Sequence, residues 1–407
     1  MRFSDAGIVE GIFAVNKPAG KTSAQVVGNL RNAFNRSNLF ASLVAAQRQS
    51  HANQACFQRK GGKRAKRAQV KIGHGGTLDP MATGVLIIGV GKGTKRLQSF
   101  LECTKTYEAT VLFGAATDMY DTEGKVLKRA PYGFISRQVI ERALSQFKGK
   151  ILQRPPLYSA LKMNGKRLCD YVREGKEIPR KIEERPVEVK ELVVTEWLEG
   201  KDHGFSVREE EVDAESRAVA EAVLHLNENG TAPSMVRDGT EPRQFGPSSG
   251  RKRSLDGLED EAVSNKKQDL RKEDKESDAL MSGALQPVLQ ADGSETRVGE
   301  SIRDKPVEPT KTELGDRPPA VKLRMTVTSG FYVRSLAHDL GEAVGSLACM
   351  CALVRTRQGD HDLGRNVLEF EDIEKGEDIW GSKVKGLIAD SDVDDRLDKT
   401  SSSKVSS

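Results

Sequence analysis

The sequence predicts an α+β fold built on a largely antiparallel sheet, and three observations predict it. Segments with helical spacing stand beside segments that alternate apolar and polar residues. They do not follow the strict βαβ alternation that builds a parallel sheet. No unit repeats along the chain. At 407 residues with 37% hydrophobic content the chain can bury one large core or two smaller ones, but 5% aromatic and 30% charged residues thin that core for such a length. Part of the chain is therefore expected to stay unfolded.

Taken in order, "QVVGNLRNAF" has the spacing of an amphipathic helix. Next comes "GHGGTLDPMATGVL", residues 73–86, where small residues surround one aspartate. Gly73, Gly75 and Gly76 permit close backbone approaches, and Pro80 pushes Asp79 away from the α region, so Asp79 is placed on a constrained loop. The apolar run Val85 to Ile88 follows as a short buried element. "TYEATVLFG" alternates as a strand. "SRQVIERALSQF" puts Val139, Ile140, Ala143, Leu144 and Phe147 on one helical face behind a Ser136 N-cap. "RPVEVKELVVTEW" and "AVKLRMTVTSGF" both read as strands, the second with Val321, Leu323, Met325 and Val327 alternating against Lys322, Arg324, Thr326 and Thr328. "SGFYVRSLAHDLGEAVG" reads as a strand end entering a helix that carries Leu336, Leu340 and Val344.

Between the last two strand patterns, Phe245 is the only aromatic from Ser206 to Ala320. Glu, Asp, Lys, Ser, Gly and Pro dominate this stretch, which cannot bury enough apolar area to offset chain entropy. It is expected to be a disordered insertion joining two strands of one fold, with a short helix at "DAESRAVAEAVLHL". The insertion carries net −8, residues 359–407 carry net −6, and the whole chain is +5, which leaves +19 on residues 1–205 and 321–358. A field of that sign suits a polyanion, nucleic acid above all.

Several functions are excluded on spacing. Gly84 to Gly89 is followed by Val90 where a P-loop needs Lys, and Arg96 stands where GxGxxG starting at Gly91 requires Gly. The five cysteines form no CxxC pair, and the six histidines supply no metal cluster; His74 stands alone near the loop, as a packing residue or an RNA contact. The N-terminus lacks the features of a signal or ordinary transit peptide, and no apolar run approaches membrane-spanning length. A soluble intracellular protein is expected.

Five stretches, "VNKPAGKTS", "GHGGTLDPMATGVLIIGVGKGTK", "KTYEATVLFG", "RPPLYSALKMNGKR" and "SGFYVRSLAHDLGE", resemble in order the motifs of TruB-type tRNA pseudouridine(55) synthases. The resemblance covers roughly residues 11–30, 70–195 and 320–358. The wording "GHGGTLDP" and the two inserted regions look like the fungal members that act on the tRNA T loop. It implies the pseudouridine synthase core, an α+β domain with a bent, mostly antiparallel sheet and a central catalytic cleft. It implies cleavage of the uridine C1′–N1 bond, rotation of the bound base and rejoining through C5, without cofactor or metal.

Residue by residue, Asp79 matches the family's essential aspartate, either a nucleophile toward the sugar or a base removing a proton. Arg334 matches the arginine that pairs with it. Tyr107 matches the tyrosine that stacks on the flipped base, Leu353 a leucine lining the pocket, and His74 a residue entering the space the base leaves. Lys17, Tyr158 and Lys162 match motif positions expected to support the site or touch the RNA backbone. The catalytic domain is expected in two parts, 1–205, with a basic insertion at about 35–70, and 321–370, separated by the insertion 206–320 and followed by an acidic, Ser-rich tail at 371–407. No PUA domain is evident there.

A monomer is expected, with tRNA as partner and the nucleus, mitochondrion or cytoplasm as location; whether mRNA uridines are a second substrate class stays open. Basic clusters at 58–71 and Arg251–Arg253 suit RNA phosphates and nuclear import. Two other readings stay open: a guide-RNA-dependent synthase subunit, and a catalytically silent RNA-binding or RNA-folding protein.

Overall fold

A ten-stranded sheet organises the computed structural model, which describes residues 8–57, 68–212 apart from 175, 177 and 181, and 317–403. In chain order the strands are β1 (Gly11–Lys17), β2 (Ile72–His74), β3 (Thr83–Val90), β4 (Lys105–Phe113), β5 (Ala115–Thr117), β6 (Val126–Arg129), β7 (Gly149–Gln153), β8 (Lys162–Met163), β9 (Lys166–Arg167), β10 (Arg185–Leu198), β11 (Ala320–Val327), β12 (Ala348–Gln358), β13 (His361–Asp362) and β14 (Val367–Glu369). The main sheet runs β14–β1–β3–β12–β4–β11–β10–β7, with β13 beside β12 and β2 beside β3. Only β1–β14 and β3–β12 pair parallel, so the expected mostly antiparallel α+β fold is what forms. Register shifts in β10 and β12 mark the bulges at which such sheets bend.

The two kinds of strand pattern have different causes. β3 is apolar without alternation because both its faces are covered: Leu86, Ile88 and Val90 enter one core cluster, Val85 and Ile87 another. β11 alternates because only one face is. Val321, Leu323, Met325 and Val327 are fully buried, while Lys322 and Arg324 point outward to Glu196 and Glu191 of β10.

Helix α1 (Ser23–Arg36) starts at a capping box in which Thr22 and Gln25 satisfy each other's backbone N–H, and it buries Val26, Val27, Leu30 and Phe34. Helix α2 (Ala41–Phe57) follows; Phe40, Leu43 and Val44 join the same core, so the inserted region expected at 35–70 begins as packed structure. Its basic run at 58–67 lies outside the described residues. Short helix α3 (Leu97–Glu102) precedes β4. Helix α4 (Arg137–Ala143) is capped by Ser136 and continues as a 3-10 turn to Phe147, with Ile140 and Leu144 buried. Helices α5 (Leu168–Arg173) and α6 (Val333–Ala343) complete the central part; α6 packs Leu336 and Leu340 against β4, β11 and β12. No described helix is long and apolar enough to cross a membrane.

Two boundaries differ from expectation. β10 and β11 are sheet neighbours, paired from Val189↔Val327 to Leu198↔Ala320, so residues 199–319 leave and return at adjacent strands. Ordered packing continues past 205, however. Phe205 and Val207 cover Leu112 and Leu198, and Val212 is buried where its N–H bonds to Val126 of β6. The expected helix at 213–226 and the Arg251–Arg253 cluster lie outside the described residues.

The second correction concerns the tail at 371–407. Helices α7 (Phe370–Glu374) and α8 (Glu377–Ser403) form there, and Phe370, Trp380, Val384 and Ile388 fill the core beside Phe34 and Phe40. The acidic composition hid an apolar stripe at helical spacing, carried on a face that the charges leave free.

Candidate active site

Asp79 hangs between β2 and β3, and several of its neighbours on that loop are tied down. Gly75 N–H bonds to Ile87 C=O, while the Ser23 hydroxyl both donates to and accepts from the backbone of Leu78. Pro80 C=O accepts from Gly20 N–H and from the Lys17 ammonium, and Asp79 C=O accepts from Ala82 N–H. Gly76 has φ +135°, where a side chain would be strained. The Gly–Pro composition thus does what it promised, which is to fix one carboxylate on a rigid hairpin.

Arg334 comes from the first turn of α6. Its Nε donates to Asp79 Oδ2 at 2.9 Å and its Nη2 to Oδ1 at 3.0 Å, a parallel two-bond pair. Nη1 donates to Met119 C=O at 3.0 Å and Nη2 also to Tyr158 C=O at 2.9 Å. The guanidinium side chain is only 7% exposed, the carboxylate 30%, so the acid keeps an open side toward solvent while its cation is enclosed.

Sequence reasoning missed Asp121. It is buried, its Oδ2 lies 3.9 Å from Arg334 Nε, and burial, together with Asp79, pushes its carboxyl up to about 6 against the pull of Arg334. One signal pointed to it, the second aspartate of the turn-rich "TDMYDTEG", but nothing local said that the turn would close on α6. Tyr120 sits in that turn at φ +62° with its ring stacked on His338 of α6, centroids 3.9 Å apart.

The other expected residues divide. Tyr107 of β4 and Leu353 of β12 are buried in the cluster that also holds Leu78, next to Asp79. His74 ends β2, half-buried, its Nδ1 3.0 Å from Gly76 C=O; burial lowers its pKa and favours neutral imidazole. Tyr158 serves through its backbone carbonyl, while its ring packs beside Leu157 and Tyr120.

Of the two uses expected of Lys17, support or an RNA contact, its hydrogen bonds fit support. It is fully buried, and its ammonium donates to Pro18, Lys21 and Pro80 carbonyls at 2.8, 2.6 and 3.0 Å, which uses every proton it has. It braces the loop and has nothing left for an RNA phosphate. Lys162 is exposed on β8 and lines a surface cleft with Arg180, Glu183 and Arg185.

One histidine, His338, does enter a group with metal-ligand chemistry among the described residues. Ligand atoms of His338, Asp339 and Glu342 lie within 4.8 Å of one another. Burial raises the pKa of both carboxyls, and Arg154, whose guanidinium pairs with Glu184 at 3.1 Å, pulls them back only in part.

Comparison with known proteins assigns the chain to a family. The family model for TruB family pseudouridylate synthase (N terminal domain) matches residues 63–212. The chain is 37% identical over 366 residues to tRNA pseudouridine synthase 4 of Schizosaccharomyces pombe, spanning 89% of this chain and 82% of that one. It is 32% identical over 392 residues to tRNA pseudouridine synthase 4 of Saccharomyces cerevisiae, spanning 94% and 85%. A crystal structure of a Cbf5-Nop10-Gar1 complex aligns with a TM-score of 0.43 and 18% identity, covering 93% of this chain and 59% of that one. The mostly antiparallel α+β scaffold is here that of an isomerase, a tRNA pseudouridine synthase. The chain belongs to the TruB family of pseudouridylate synthases.

Proposed function

We propose that this chain isomerises uridine 55 in the T loop of tRNA, with Asp79 as the essential carboxylate. The observation that carries the reading is the Asp79–Arg334 pair, in which a nearly enclosed guanidinium aims a carboxylate that remains accessible from one side. Both candidate roles of the acid, attack on the sugar and removal of a proton, need a carboxylate held at a fixed distance from a bound base. The target uridine is stacked within a folded loop, so it must be extruded. Tyr107 and Leu353 then offer it an apolar aromatic surface beside Asp79, and His74 fills the gap it leaves. The net charge of +19 on residues 1–205 and 321–358 supplies the phosphate attraction. The tRNA named in both yeast relatives supports the same substrate.

The test is incubation of purified protein with unmodified tRNA transcript, followed by carbodiimide mapping. Pseudouridine at position 55 without added guide RNA is expected; product only with a guide, or binding without product, refutes the reading. Asp79→Asn should abolish turnover while tRNA affinity stays within about an order of magnitude, because phosphate contacts dominate such interfaces. For location, Arg251–Arg253 is offered as an import signal, checked by imaging a tagged variant in which the three are neutralised.

A further inference from the structure

Helix α6 starts without a capping side chain of its own. Tyr332 is its N-cap and makes no side-chain cap bond. Helix starts leave backbone donors unpaired, and an unsecured first turn frays. Here that turn carries Arg334.

The missing restraint comes from 179 residues away. Gln153, the last residue of β7, is 3% exposed. Its Oε1 accepts the Tyr332 N–H at 2.7 Å and its Nε2 donates to the Tyr332 C=O at 3.0 Å. That N–H belongs to the peptide before Tyr332 and that C=O to the peptide after it, so one carboxamide fixes both planes. Gln153 is itself fixed by the pairing of β7 with β10, where it lies opposite Arg185. The residues that follow continue the grip: Arg154 C=O accepts from the Ser335 hydroxyl at 2.7 Å, and Tyr158 C=O from Arg334 Nη2 at 2.9 Å. Residues 153–158 therefore hold α6 on both sides of Arg334, through 332 and 335, as well as at Arg334 itself.

We infer that Gln153 is a positioning residue for the isomerisation, setting the start of α6 so that Arg334 meets Asp79 through two parallel bonds. The inference rests on the Asp79–Arg334 pair being the reacting centre. Its force comes from geometry: a two-bond arginine–carboxylate pair tolerates little displacement, and misplacement by about 1 Å costs on the order of 100-fold in rate. The competing explanation is that a buried glutamine merely satisfies a backbone residue, in which case it matters for stability alone.

A double-mutant cycle separates the two. Single-turnover isomerisation of unmodified tRNA transcript, tRNA affinity by filter binding and thermal unfolding are measured for wild type, Gln153→Met, Arg334→Lys and the double variant. Gln153→Met keeps the side-chain volume and removes both bonds; its rate should fall roughly ten- to hundredfold with affinity within about twofold. The double variant should be no slower than Arg334→Lys alone, since the two act through one contact. A normal rate for Gln153→Met, or a loss that multiplies in full on Arg334→Lys, overturns the inference. A normal rate for Arg334→Lys overturns the reading of the pair instead. If Gln153→Met does not fold, Gln153→Glu carries the test. It keeps the acceptor for Tyr332 N–H but loses the donor on ionisation, so its rate should fall with rising pH more steeply than wild type, and a wild-type profile refutes the role.

Discussion

Replacing Lys17 by Met decides between two uses of that residue, a brace for the Asp79 loop and a contact for RNA phosphate. Burial drags the Lys17 ammonium from 10.5 down to about 8, against the attraction of Asp79. Unfolded, the same group titrates near its ordinary value. Below about pH 8 both states are charged and the fold carries the whole penalty of burying the ammonium. Between there and 10.5 the folded state gives up its proton first, the unfolded state binds more protons, and stability rises with pH. The full shift corresponds to about 3 kcal/mol, of which about 2 kcal/mol falls between pH 7 and 9.5. Urea unfolding at several pH values measures it, with Lys17→Met as the reference that cancels every other titration. The stability of wild type minus that of Lys17→Met should climb by about 2 kcal/mol over that interval. In parallel, the salt dependence of tRNA binding should be the same for both proteins. A difference flat in pH, together with a salt slope reduced by about 1, is the signature of a phosphate contact and would refute the burial argument.

Other outcomes follow from the same geometry. Asp121→Asn keeps the acceptor for Glu123 N–H and removes a carboxylate whose pKa is raised to about 6, so the variant should be more stable than wild type by about 3 kcal/mol at pH 8. That gain should vanish as pH falls toward 4, and turnover should drop because Arg334 loses its second carboxylate; unfolding curves and rates at both pH values check it. Gly84→Ala should cost about 2–6 kcal/mol in chemical denaturation, since Gly84 has φ +100° and a Cβ there would collide with the Arg355 backbone of β12. Trp380→Ala should cost about 3–5 kcal/mol if α8 belongs to the core, against about zero for a residue of an unpacked tail.

Much of the site's framework was legible locally. Glycines and a proline around one aspartate marked a constrained loop, because backbone conformations of that kind depend on residues only one or two positions away. Helix α4 with its Ser136 cap and the alternation of β11 were legible for the same reason. The family motifs added partners for Asp79 that no local pattern contains. Composition misled in two places. Acidic and Ser-rich residues around 371–407 concealed the stripe Trp380, Val384 and Ile388, and the charged stretch after 205 concealed the packing of Val212.

By itself the sequence determined where the chain turns, which faces of its helices and strands are apolar, the sign of its charge, and that Asp79 is held rigidly. Tertiary structure alone decided which charges are buried and what they bind. Arg334 reaches Asp79 across 255 residues, Gln153 reaches Tyr332 across 179, and Lys17 spends its protons on three carbonyls that only the folded loop assembles. A lysine on the surface and a lysine in the core are the same letter. Their difference lies in the water that distant strands and helices remove, and no local periodicity records it.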